Sequence, residues 1–130
     1  MPCDLNHGED QRQILDAAAT LLGAEFAVSR DLAADRDKVA PLAEFGAFSL
    51  ALDEQFGGAG FTLVEEALLH VQLGRHIVTT RSIAQPVAAR LAAEIGSVDL
   101  AGRFAAGENA VCAAIPAGES VRLIDAEGAR

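Results

Sequence analysis

The chain has 130 residues, nineteen acidic against ten basic, and a formal net charge of −9. That length suits one domain with a real hydrophobic core, while the acidic excess excludes nucleic-acid binding and disfavours an anionic membrane surface, both of which need clustered Lys and Arg. Hydrophobic residues make up 51% of the sequence, much of it alanine, with 5% aromatics and no Trp or Tyr, a composition that favours closely packed helices.

Residues 1–8, with Pro2, Asn6 and Gly8, read as a loose leader. They lack the basic and apolar regions of a signal peptide, and no later stretch has the length and continuity of a transmembrane helix, so a cytoplasmic location is expected. A helix is expected from about Glu9, with Ile14, Leu15, Ala18, Leu21, Leu22 and Phe26 on one apolar face and Glu9 and Asp10 at its positive N-terminal end. Residues 29–38, SRDLAADRDK, are apolar only at Leu32, Ala33 and Ala34, and are either a solvated helical turn or a connection. Pro41 fits the first turn of a helix that ends at Gly46; a helix starting earlier would be bent there.

The apolar run 47–52 leads through Asp53-Glu54-Gln55-Phe56 to Gly57-Gly58-Ala59-Gly60. Thr62 suits an N-cap, with Glu65 three residues on to complete a capping box. The following helix, 62–75, repeats Leu63, Ala67, Leu68, Val71 and Leu73 at helical spacing, which leaves Glu65, Glu66, His70 and Arg75 free to face elsewhere. β-Branched residues at 77–80 weaken helix. A further helix over 82–95 is marked by Ile83, Val87, Leu91 and Ile95, spaced four apart, and is closed by Gly96. Ser97 or Asp99 caps a short helix, 100–106, before Gly107. Residues 110–115, bounded by Asn109 and Pro116, read as a buried strand, and 121–124 as a second. Two short strands alone make a marginal sheet. The expected fold is all-α, a helical bundle with one or two short strands at the C-terminal end.

The glycine loop invites a phosphate-binding reading. It lacks the Lys-Ser/Thr of a P-loop, and Leu63 stands where a dinucleotide fingerprint needs glycine, so a tight turn with close backbone approach explains it better. Glu65 and Glu66 are adjacent on a helix, about 100° apart, which suits capping and solvation rather than paired acid–base work. No serine lies in a nucleophile elbow. Cys3 and Cys112 are expected as free thiols, and His7, His70 and His76 are too dispersed for a metal set. The residues by themselves mark no catalytic site and no metal site.

Three segments in order, LAEFG at 42–46, DEQFGGAG at 53–60 and EEALLHVQLGR at 65–75, resemble the N-terminal helical domain of the acyl-CoA dehydrogenases. The resemblance extends over roughly 11–124: Gly107-Glu108 with the apolar run 110–115 is similar to the opening of that family's middle β-domain, and RLIDAEGA at 122–129 to a later piece of it. It implies the divisions 1–8 leader, 9–107 helical domain and 108–130 truncated start of a β-domain. It also implies an FAD-dependent oxidoreductase that forms a double bond between the α and β carbons of an acyl-CoA thioester. In the family a glutamate removes the α proton while hydride passes to the flavin. That glutamate and most flavin contacts lie in domains with no counterpart here, so the chain is expected to be inactive alone. The resemblance places one wall of the acyl-tail pocket on Ser82, Gln85, Pro86 and Ala89, with Arg81 beside them. Spacing puts 82, 85/86 and 89 on one helix face, which ordinary core packing would explain equally. Implied partners are acyl-CoA, an electron-transfer flavoprotein or similar acceptor, and further subunits of a homo- or hetero-oligomer. The alternative is a non-catalytic helical interaction domain that docks on a catalytic partner.

Overall fold

A computed structural model describes residues 6–26, 39–76, 78 and 81–124. Most of the expected leader, the charged stretch 29–38, most of the β-branched run 77–80 and the residues after 124 lie outside that set. Among the described residues five helices, α1 (Glu9–Glu25), α2 (Val39–Phe45), α3 (Leu63–Arg75), α4 (Arg81–Glu94) and α5 (Val98–Ala105), precede a hairpin of β1 (Ala113–Ala117) and β2 (Ser120–Ile124). A single 3-10 turn, Glu54–Phe56, interrupts the loop between α2 and α3. The chain is therefore an all-α body with a small antiparallel appendix, as the composition leads one to expect. No helix among the described residues is long and apolar enough to cross a membrane.

Local chemistry sets the helix ends. Pro41 sits in the first turn of α2, where its missing N–H is no loss. At the other end the Gly46 N–H donates to the Ala43 carbonyl and the Ala47 N–H to the Leu42 carbonyl, both at 2.9 Å, the paired bonds that close a helix on a glycine. The expected capping box opens α3: the Thr62 hydroxyl accepts from the Val64 N–H, and the Thr62 N–H donates to Glu65. Gly96 and Gly107 follow the ends of α4 and α5.

The core joins Ala18, Leu22 and Phe26 of α1 to Leu42 of α2, to Ala47, Phe48 and Leu50 of the following turn, and to Leu69 and Leu73 of α3. Ile14 and Leu21 pack against it, so the apolar face read on α1 is the buried one. The hairpin pairs Ala113 with Ile124 and Ala117 with Ser120. Pro116 is tolerated because β1 has a partner on one side only.

The expected orientation of α3 is corrected. Its apolar stripe of Leu63, Val64 and Val71 faces outward, Leu63 at 62% exposure, while Glu65 and Glu66 are turned inward at 8% each. Directional bonds hold them there. Gln11 of α1 donates to Glu65 Oε1 at 2.7 Å, and Arg90 of α4 donates to Glu66 Oε2 at 2.6 Å. The ring of His70 reaches the Ser82 carbonyl of α4 at 3.0 Å. A buried polar group with a partner can displace an exposed apolar one when the partner is supplied by a neighbouring helix. α4 repeats the arrangement: Ile83, Val87 and Leu91, with Ile95 just past its end, are exposed, and Ser82, Gln85, Pro86, Ala89 and Ala92 are buried.

Candidate functional site

The outward stripe of α4 is one wall of a groove of roughly 530 Å³. Ile83, Ala84, Val87, Ala88 and Leu91 form that wall, and the opposite wall is the run from Val111 to Ile115, with Ile124 of β2 closing one side. Cys112, a free thiol, is the sole titratable side chain among these residues. With no carboxylate, imidazole or cation among these lining residues, the groove can hold an apolar chain or ring by burial alone. Burial of this kind contributes about 25 cal/mol for each Å² of apolar surface removed from water.

Ser82, Gln85, Pro86 and Ala89 lie together on the opposite side of α4, where Ser82, Gln85 and Ala89 are at most 4% exposed. They form the back of the helix wall rather than its lining. Pro86 stands inside the helix and has no N–H to give the carbonyl four residues earlier, that of Ser82. His70 Nε2 fills this position, with Nδ1 at 2.8 Å from its own helix's Glu66 carbonyl. Which of the two carbonyls receives a ring N–H depends on the tautomer. Gln85 Nε2 donates to the carbonyls of Phe104, at 2.9 Å, and Asn109, at 2.8 Å. Four-residue spacing made Ile83, Val87 and Leu91 visible in the sequence. Which side of the helix they occupy depended on bonds from Glu66 and His70, which carry no local signal.

The glycine loop is a turn and not an anion cradle. Its N–H groups are spent on backbone carbonyls: Gly57 on Glu54, Gly58 on Asp53, Ala59 on Ser49 and Gly60 on Leu52. At Gly58 a Cβ would lie 2.0 Å from the Leu52 carbonyl oxygen, so close approach of backbone to backbone is the reason for glycine there. The polar recess beside it, lined by Asp53, Gln55, Arg90 and Glu94 among others, has its arginine already paired with Glu66. Glu65 accepts from the Thr62 hydroxyl, from Gln11 and from the Thr62 N–H, which together lower its pKa to about 2 against the opposing effect of burial. Both inward carboxylates are thus committed to holding helices together. No cluster of His, Cys, Asp and Glu among the described residues could hold a metal ion.

The family model of the acyl-CoA dehydrogenase N-terminal domain matches residues 8–108. Among solved structures, the chain is similar to a glycine-to-alanine variant of the Tcur3481-Tcur3483 steroid acyl-CoA dehydrogenase, with a TM-score of 0.65 at 24% identity. The match covers 89% of this chain and 39% of that one, and at this identity it shows a shared fold. No curated protein matches.

Proposed function

The chain belongs to the acyl-CoA dehydrogenase family by its N-terminal domain, and from that premise we propose that it serves the FAD-dependent α,β-dehydrogenation of an acyl-CoA thioester. Its part is to supply one side of the apolar tail site. The observation that carries this reading is the groove between α4 and the 111–115 run, whose walls hold apolar side chains and one thiol. Ile83, Val87 and Leu91 would meet the acyl tail, and Ser82, Gln85, Pro86 and Ala89 would back that wall from the core. In this reading 9–107 is the helical domain, and 108–124 opens a β-domain.

In such an enzyme a bound flavin would supply the hydride-accepting chemistry. The described residues do not fit that cofactor: the glycine loop has no free N–H groups, its neighbours Asp53 and Glu54 are acidic, and no base faces the groove. We therefore assign both the flavin and the proton-abstracting base to protein beyond this chain, whether in the same polypeptide or in a partner subunit. What this chain does is exclude water from an apolar tail and orient it.

Val87→Trp in the complete enzyme tests the assignment. A side chain that fills the groove should shorten the longest acyl chain turned over while leaving short-chain kcat intact. An unchanged chain-length profile would refute the tail site. A second reading, a non-catalytic docking domain, has its own support in the outward stripe of Leu63, Val64, Ala67, Leu68 and Val71 on α3. Absence of flavin absorbance and of acyl-CoA-dependent dye reduction from the complete assembly would favour it.

A further inference from the structure

The two walls of the groove belong to different parts of the fold, α4 and the run 111–115. α5 packs along α4, and the chain then turns at Gly107 and leaves for the hairpin. This junction is held three ways. Gly107 has φ +71, and a Cβ there would meet Val39 Cγ1 at 3.0 Å, so the turn is seated on α2 with no room for a side chain. Arg103 donates to the Asn109 side-chain oxygen at 2.9 Å and lies 3.7 Å from the Glu108 carboxylate. Gln85, 2% exposed, donates from one nitrogen to the carbonyls of both Phe104 and Asn109.

Gln85 alone among these holds both sides. It projects inward from α4, between the positions of Ala84 and Val87 on the groove wall, and its amide fixes the last turn of α5 and the residue two before Val111, where the opposite wall begins. An apolar residue of similar size would fill the space equally well. What only an amide or similar donor provides at this depth is a fixed distance to two main-chain carbonyls. We infer that Gln85 is a positioning residue that sets the separation of the groove's walls, and so the width of apolar group the groove admits. The inference rests on the tail-site reading for its ligand but not for its geometry.

The test uses the full chain with Cys3→Ser and Cys112→Ser, spin labels at Leu91→Cys and Val121→Cys, and pulsed dipolar distance measurement. Both labelled positions are exposed. With Gln85 present the distance distribution is narrow. Gln85→Leu, which removes both donated bonds, should broaden or shift it by roughly 2–3 Å, about the length of a hydrogen bond, with helix content by circular dichroism retained. Gln85→Asn, one methylene shorter, should do the same to a lesser degree and stands in should the leucine variant fail to fold. A distribution unchanged in whichever variant folds overturns the inference. In parallel, binding of decanoyl-CoA and of a steroid-carboxyl CoA thioester to the complete enzyme should change in ratio by about fivefold in the variant, the scale of one altered hydrogen bond, and an unaltered ratio also overturns it. Binding of neither thioester by the unmutated enzyme would refute the tail site while the distances still decide the role of Gln85.

Discussion

His70 and Pro86 form a pair that neither residue explains alone, and a double-mutant cycle can measure it. Pro86 denies the Ser82 carbonyl its usual helical donor, and the His70 ring, in the tautomer with its proton on Nε2, supplies one from α3 at 3.0 Å. His70→Ala removes that donor from a part-buried acceptor, at a cost of about 1–3 kcal/mol. It also removes the 2.8 Å contact to the Glu66 carbonyl, which does not involve Pro86. With Pro86→Ala, residue 86 regains an N–H and can close the helical bond to Ser82, so deletion of the ring should then cost about 1 kcal/mol less, the net worth of one hydrogen bond. Pro86→Ala by itself should be stabilising, because proline is the least favourable residue inside a helix. Urea denaturation of the four proteins, followed by far-ultraviolet circular dichroism at pH 7, yields the coupling directly. Additivity of the two substitutions within about 0.3 kcal/mol would show that His70 does not stand in for the missing N–H.

Three further outcomes follow from particular residues. Because Glu65 has its pKa lowered to about 2 from 4.5, its contribution is fully present above pH 4.5 and is lost as pH falls from there towards 2. The loss should be on the order of 1 kcal/mol given solvent screening, and urea midpoints of Glu65→Gln should fall less steeply over that interval; parallel curves would refute it. Gly58→Ala should destabilise by more than about 3 kcal/mol, since a Cβ 2.0 Å from the Leu52 oxygen forces backbone to move, and a melting temperature within a degree or two of the parent would contradict the turn geometry. Ala89→Trp overfills a fully buried position and should lower stability by about 3 kcal/mol, whereas Val87→Trp, on the groove side, should leave the melting temperature nearly unchanged. The reverse order would mean that the faces of α4 have been interchanged.

Where the sequence was legible, the information was local. Thr62 with Glu65, and Gly46, Gly96 and Gly107, mark helix ends because a cap is made from residues within four positions of one another. Two strands near the C-terminal end were legible from the turn residues flanking them. The first, however, lies at 113–117 rather than 110–115, includes Pro116 and is largely exposed rather than buried, because the hairpin's free edge and outer face have no layer of described residues packed on them. Harder to read were the faces of α3 and α4. Hydrophobic periodicity assumes that apolar stripes face inward, and here Leu63 and Val71, like Val87 and Leu91, face outward. The partners that turn Glu65 and Glu66 inward, Gln11 and Arg90, stand 54 and 24 residues away, beyond the reach of any pattern. The same inversion places Ser82, Gln85, Pro86 and Ala89 behind the groove's helix wall and Ile83, Val87 and Leu91 on its surface.

The inward polar side of α3 also governs how that helix can slide. Purely apolar seams tolerate a shift of one turn, about 5.4 Å, because Leu73 could settle where Leu69 had been at small loss. Here the same shift would break Gln11–Glu65, Arg90–Glu66 and His70–Ser82 together. Each bond adds little net stability, yet the three reject the same misalignment at once. The acidic pair and the histidine thus act as a key for a single axial setting of α3 between α1 and α4, and the outward leucines and valines are left free to meet whatever packs on the domain.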